Sequence, residues 1–199
     1  AVAGCLGMAD GEPAPARRTP APAAAAVKSA PEKRTELHPD WARRWETART
    51  ITTDSPAGCY LTARGCAIPP EDGDLRWHPQ VRHWPSKTTG PALVALVTDP
   101  RDPARAVTLH ITWIRPDGSG KADLDPPRLT LAGHTNEGVV RLWPDDEVTD
   151  GLIVAEGIES CLTAARGETA PVWACLTAGN MSKFPSLPGI EALTIVSDY

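Results

Sequence analysis

Two carboxylates stand where chemistry would be expected. Glu156 closes the short apolar run 152–155 and is followed at once by Gly157. Asp198 follows another apolar run, 193–196, after Ser197. Apolar runs that alternate with a helical pattern predict parallel strands joined by crossover helices. In such open sheets, ligand sites form beyond the carboxyl ends of the strands. If the two strands are neighbours, Glu156 and Asp198 converge. Two close acids need a compensating positive charge, and Mg²⁺ (or Mn²⁺), a hard cation that takes oxygen ligands, is the natural one. Glu159 lies one turn further on, at a helix start, where a carboxylate is favourable in its own right. It reads equally as a helix-start acid and as outer support for the metal ligands.

The elements around these acids can be traced from the sequence. Ile158, Cys161, Leu162 and Ala165 repeat at helical spacing, and Gly167 ends that helix. Thr177 to Asn180 are small residues that suit a tight turn, and Pro185 and Pro188 bracket the loop into the last strand. Further back, 91–98 is a continuous apolar run. In 107–113, Val107, Leu109, Ile111 and Trp113 alternate with Thr108, His110 and Thr112, as in a strand with one buried face. Asp117-Gly118 signals a hairpin turn, and 139–143 reads as a short strand. Asp40 is placed to cap a helix carrying Trp41, Arg44, Trp45 and Ala48. Ser55-Pro56 starts a second helix, with Cys59, Tyr60 and Leu61.

Basic residues supply a second set of candidates. Arg115, Lys121 and Arg128 gather around the 115–122 turn and are candidates for holding phosphates. The Gly-Ser-Gly-Lys run there is not a phosphate loop, because Arg115 stands where the first glycine would be and Ala122 where Ser or Thr would be. In 75–85, Arg76 and Arg82 are interleaved with Trp77, Trp84, His78 and His83. That pattern fits a surface gripping a nucleic-acid strand, and equally an edge strand with its loop. The spacing of the two histidines, with no third ligand nearby, does not make a metal site.

Composition bounds the rest. The net charge of −5 leaves no whole-chain footprint for nucleic acid, so any positive site must be local. No run approaches a membrane span and no signal peptide is visible, so the expectation is a cytoplasmic protein. The five cysteines form no Cys-x-x-Cys pair and read as reduced core thiols. Residues 1–37 are rich in Pro and Ala after a short mixed segment and lack aromatics, as expected of a disordered linker. Both ends of the chain read as cut.

Three ordered stretches carry a resemblance: VAEGIESCLTAA, PVWACLTAGN and LPGIEALTIVSDY. They look like the Toprim domain, and more narrowly the Toprim-containing primases of phages, plasmids and other mobile elements. HITWIRPDGSGKA resembles the hairpin that precedes the Toprim part in the same proteins. The resemblance implies an α/β fold: a Toprim-like parallel sheet from 149–199, incomplete at its C-terminus, after a mixed α+β primase-core region from 38–148 with antiparallel strands. It implies that Glu156 matches the family's glutamate and Asp198 the first aspartate of its Asp-x-Asp motif. The second aspartate would fall one residue beyond Tyr199. The implied activity is DNA primase: Mg²⁺-dependent joining of ribonucleoside triphosphates on a single-stranded DNA template, with a replicative helicase as a further partner. A zinc-binding module precedes the linker in such proteins, and 1–10 resembles its tail. Two other readings use the same residues, namely a Toprim nuclease that cleaves DNA and a fragment that binds DNA without catalysis.

Overall fold

The computed structural model describes residues 37–131, 137–167 and 171–197. Asp198 and all but the last residue of the 1–37 segment lie outside them. Two short helices come first, α1 (Pro39–Glu46) and α2 (Pro56–Ala63), each with proline at its start. Proline fits there because its φ is already helical and its missing N–H has no partner to lose. Ser55 caps α2 as expected, its Oγ accepting from the Gly58 N–H at 3.0 Å. In α1 the cap is His38, not Asp40: the His38 Nδ1 accepts from the Asp40 N–H at 3.3 Å. Pro39 takes the first helical position, which puts Asp40 inside the first turn, where it pairs with Arg43.

Sheet 1 follows: β1 (Leu75–Arg82), β2 (Thr89–Asp99), β3 (Asp102–Trp113) and β4 (Arg128–Thr130), antiparallel throughout and adjacent in chain order. β2 buries both faces. Leu93, Ala95 and Val97 face one cluster, and Ala92, Val94 and Leu96 face another that takes in Trp41 and Trp45 of α1. The alternation expected in β3 holds from Thr108 onward, since Leu109, Ile111 and Trp113 all face the second cluster. Val107 departs from it and packs on the first. A register shift pairs Val97 with Thr108 but Thr98 with Ala106, so Val107 is the extra residue of a bulge, which changes the face it presents. β4 is an element the sequence pattern did not reveal; three residues are too few to show a period.

Sheet 2 contains β5 (Val140–Arg141), β6 (Gly151–Ala155), β7 (Val172–Ala174) and β8 (Ala192–Val196), in the order β5-β7-β6-β8. β6 is parallel to both neighbours, and β5 is an antiparallel edge. Thus the strand expected at 139–143, ahead of the parallel region, joins that sheet. α3 (Ile158–Ala164) crosses from β6 to β7, and a one-turn helix, α4 (Ala178–Met181), occupies the small-residue stretch read as a turn. Thr177 makes this possible by capping the Asn180 N–H with its Oγ1 at 3.0 Å. β6 is buried on both faces, as a central parallel strand should be. At the other edge, β8 leaves Leu193 and Ile195 at 44% and 57% exposure.

One apolar cluster draws on both sheets and on α2 and α3: Tyr60 and Leu61 of α2, Leu93 and Val97 of sheet 1, Ile153 and Val172 of sheet 2, and Leu162 of α3. Cys66, Cys161 and Cys175 are buried and not in disulfides, and burial pushes the Cys175 thiol up to about 12. Among the described residues, no helix is long and apolar enough to cross a membrane.

Candidate functional site

The parallel pairing of β6 with β8 runs Gly151–Ala192 through Ala155–Val196, so the two strands end side by side. Glu156 is the next residue on β6. It is exposed at the carboxyl end of the sheet, and its side chain has no hydrogen-bond or ion-pair partner among the described residues. Strand adjacency, the condition for Glu156 and Asp198 to converge, is thus met; Asp198 itself lies outside the described residues.

Glu156 opens onto a cavity of about 470 Å³. Its floor comes from Glu156, in the turn between β6 and α3, and from Glu159 in the first turn of α3. The opposite wall carries His110 and Thr112 of β3, Arg128 of β4, and Lys121. These wall residues share a face for a simple reason. Cross-strand partners point the same way, and Thr112 pairs with Arg128 as His110 pairs with Thr130. The polar half of the β3 alternation is therefore the cavity side of sheet 1.

Glu159 organises the cavity. Its Oε1 accepts from the Tyr60 hydroxyl, the Lys121 Nζ lies 3.0 Å from Oε1 and 3.2 Å from Oε2, and the Arg64 Nε lies 3.5 Å away. Burial alone would push this carboxyl up. The Tyr60 and Lys121 hydrogen bonds, with the charges of Lys121 and Arg64, outweigh it and hold Glu159 below the usual glutamate range. Burial and the same hydrogen bond push the Tyr60 hydroxyl far above its ordinary value, so Tyr60 stays a neutral donor. The contact joins α2, α3 and the 115–121 hairpin. Gly118 lets that hairpin dock on α2: its φ is +72°, and a Cβ there would lie 2.5 Å from the Pro56 carbonyl oxygen and 2.6 Å from the Cys59 Cβ.

Two charged groups on the cavity wall remain uncommitted among the described residues, Glu156 and Arg128. His110 lines the same cavity, and its Nδ1 is 3.0 Å from the Thr130 Oγ1. Burial first, then the cations Arg128 and Lys121, push this imidazole down to about 4, so it is neutral at physiological pH. The donor chemistry of Glu156 suits a hard divalent cation, while Glu159 is taken up by its three partners. Among the described residues, no group of three or more His, Cys, Asp or Glu side chains is placed to hold a metal ion.

Of the residues singled out from the sequence, Glu156, Glu159, Lys121 and Arg128 come together here. The other three basic residues do not. Arg115 pairs with Asp123 at 3.0 Å on the exposed side of the hairpin. Arg76 lies 4.2 Å over the Trp45 ring and donates to the Trp45 carbonyl, fastening α1 to sheet 1. Arg82 is exposed at the end of β1. Sequence reasoning missed Tyr60, Arg64 and His110 as parts of the site. The polar half of β3 was a usable signal for His110, but nothing local marks Tyr60 or Arg64.

The family described as "Domain of unknown function (DUF7146)" matches residues 35–142, more than half of the chain, and the chain belongs to it. Sheet 1, both N-terminal helices and Lys121 and Arg128 fall inside that match; Glu156 and Glu159 fall outside it. No curated protein matches the sequence. Among solved structures, the chain is similar to the Aquifex aeolicus primase (zinc-binding and RNA polymerase domains), at 17% identity with a TM-score of 0.41. The likeness covers 70% of this chain and 41% of that one.

Proposed function

We propose that this protein is the catalytic core of a Toprim-type DNA primase of a mobile element, joining ribonucleotides on a single-stranded DNA template. The observation that carries the reading is the pair of uncommitted charges on one cavity. Glu156 projects beyond the end of a parallel strand, and Arg128 faces it from the other sheet. A nucleoside triphosphate with its cation presents both charges, and so fits a site with a free carboxylate and a free guanidinium. The Toprim resemblance of the 151–199 region supports the same assignment.

In this reading Glu156 and Asp198 hold Mg²⁺, or Mn²⁺ in its place. When bound, the cation neutralises phosphate charge and lowers the pKa of the attacking hydroxyl. Arg128 grips the phosphates, and Lys121, held by Glu159, adds positive potential on the same wall. Glu159 acts by position. With Tyr60 and Arg64 it fixes where Lys121 stands, and it is not a metal ligand. The template is single-stranded DNA, and a replicative helicase is the partner that would deliver it.

The test uses the full-length protein with single-stranded DNA, ribonucleotides and Mg²⁺, beside Glu156→Gln and Arg128→Ala. Short RNA ladders from the wild type are expected. Glu156→Gln should reduce them by about two orders of magnitude or more, the scale of a lost catalytic carboxylate. Cleavage of DNA without ribonucleotides would replace the primase reading with a nuclease. Undiminished ladders from Glu156→Gln would remove this cavity from the chemistry.

A further inference from the structure

We propose that His110 is a phosphate contact that becomes charged on binding: when a triphosphate settles on Lys121 and Arg128, the imidazole meets it and takes a proton from solvent. That role rests on the triphosphate assignment of this cavity. The geometry comes from sheet 1. His110 pairs with Thr130 across to β4 and with Ala95 across to β2, and Thr112 pairs with Arg128 on the same face. Arg128 is therefore the diagonal neighbour of His110, a placement within reach of a long side chain. Both residues line the cavity, with Thr112 and Lys121. One ring nitrogen is engaged, Nδ1 at 3.0 Å from the Thr130 Oγ1. Nε2 has no hydrogen-bond partner among the described residues. Nor is it sealed in, since the one buried side-chain nitrogen or oxygen without a partner there belongs to Arg44. Nε2 is thus the ring nitrogen left for water or a ligand.

The surroundings make this imidazole responsive. On the β2 side, Ala95 and the apolar cluster it belongs to bring no charge. Charge comes from Arg128 on β4, from Lys121 on the hairpin and from Glu159 on α3, while Arg64 and Glu156 line the same cavity. Glu156 forms no hydrogen bond or ion pair with His110. Burial first and then the two cations disfavour the charged ring, and Glu159 only partly offsets them, which holds the imidazole at about 4. A triphosphate on Lys121 and Arg128 reverses the cationic part of that balance. Its oxygens carry several negative charges and accept hydrogen bonds, so beside them the protonated ring is favoured. The step forms one N–H bond on the ring with a proton from the buffer, and nothing else is made or broken. A third permanent cation here would repel Arg128 and Lys121 whenever no anion was present. Histidine supplies the charge only with the ligand, because its ordinary range lies near neutral pH. By linkage, an anion that favours protonation is itself held more tightly by the protonated site.

The test is calorimetric titration of the full-length protein with inorganic triphosphate, without divalent metal, in two buffers of different ionisation heat. Triphosphate itself exchanges protons in this range, so His110 is isolated as the difference between wild type and His110→Gln. At about pH 6 the wild type should take up a fraction of a proton more per triphosphate bound than His110→Gln does. His110→Gln should also weaken binding roughly ten-fold at about pH 6 and far less at about pH 8, where a contact made by the charged ring fades. Arg128→Ala checks the site itself and should lose most of the binding at both. No binding by the wild type, or unchanged binding in Arg128→Ala, would sink the cavity assignment and the proposal with it. Suppose instead that Arg128→Ala binds weakly, but wild type and His110→Gln take up equal protons or differ equally at the two pH values. The cavity assignment would then stand and the role of His110 would be overturned. If His110→Gln fails to fold, NMR of histidine-labelled wild type decides. One imidazole should pass from neutral to protonated at about pH 6 as triphosphate is added, and the proposal fails if none does.

Discussion

Glu159 and Arg141 each tie distant parts of the chain together, and they handle a buried charge differently. Arg141, on β5, is 3% exposed. It donates to the Thr98 Oγ1, to the Asp99 and Pro100 carbonyls at 2.8 and 3.2 Å, and to Asp145, and it stacks 4.6 Å from the centre of the Trp173 ring. Backbone carbonyls and a hydroxyl take up most of its donors, so little of the fork is left for a ligand. Glu159 is 19% exposed and is satisfied by side chains alone, two of which are themselves cations on the cavity. The first hub closes the junction between the sheets. The second builds a wall that still faces water, which is where binding chemistry can be placed.

The strongest test of this contrast is Arg141→Met. It strips the buried carbonyls and Thr98 of their donor and should cost about 3–5 kcal/mol, read as a large fall in the urea midpoint. A loss no greater than that of a surface arginine would mean the carbonyls find other donors. Glu159→Gln should cost less, about 1–3 kcal/mol, because solvent can reach the freed Lys121 and Arg64. If the cavity is the proposed polymerisation site, it should also lower primer synthesis. A double-mutant cycle between Tyr60→Phe and Lys121→Met sharpens the point: both act through one carboxylate, so a coupling of about 0.5–3 kcal/mol is expected rather than additivity.

The smallest effect is in pH, where the two regions should oppose each other. Near Arg141, burial pushes the Asp74 carboxyl up to about 6 despite the Arg141 charge. The folded state therefore holds a proton that the unfolded chain releases, and stability from this group falls as pH rises toward 6. On the cavity, His110 is pushed down to about 4. There the unfolded chain takes up the proton first, so stability falls as pH drops from about 6.5 toward 4. Glu159, held below its ordinary value, adds to the acid loss at lower pH still. Thermal melts between pH 4 and 7 should be flatter for the wild type than for either variant. Asp74→Asn should become less stable in acid, and His110→Gln less stable toward neutrality. Parallel curves for all three proteins would remove the opposition.

Local sequence determined a good deal of this protein. Proline and serine at the start of α2, the doubly apolar runs of β2 and β6, the period of α3 and the Asp-Gly turn follow from conformational preference and burial over a few residues. The position of Glu156 at the end of a parallel strand was legible for the same reason. Tertiary structure decided the rest. Only the pairing of β3 with β4 puts His110, Thr112 and Arg128 on one face, and only the bulge at Val107 sets where that alternation begins. Tyr60 lies 99 residues from Glu159 and Lys121 lies 38, so no local pattern could reveal that one carboxylate holds them both. Arg76 and Arg128 look alike as charges in a sequence. Packing under Trp45 made the first a fastening and left the second open to the cavity, because a guanidinium's role depends on which partners reach it.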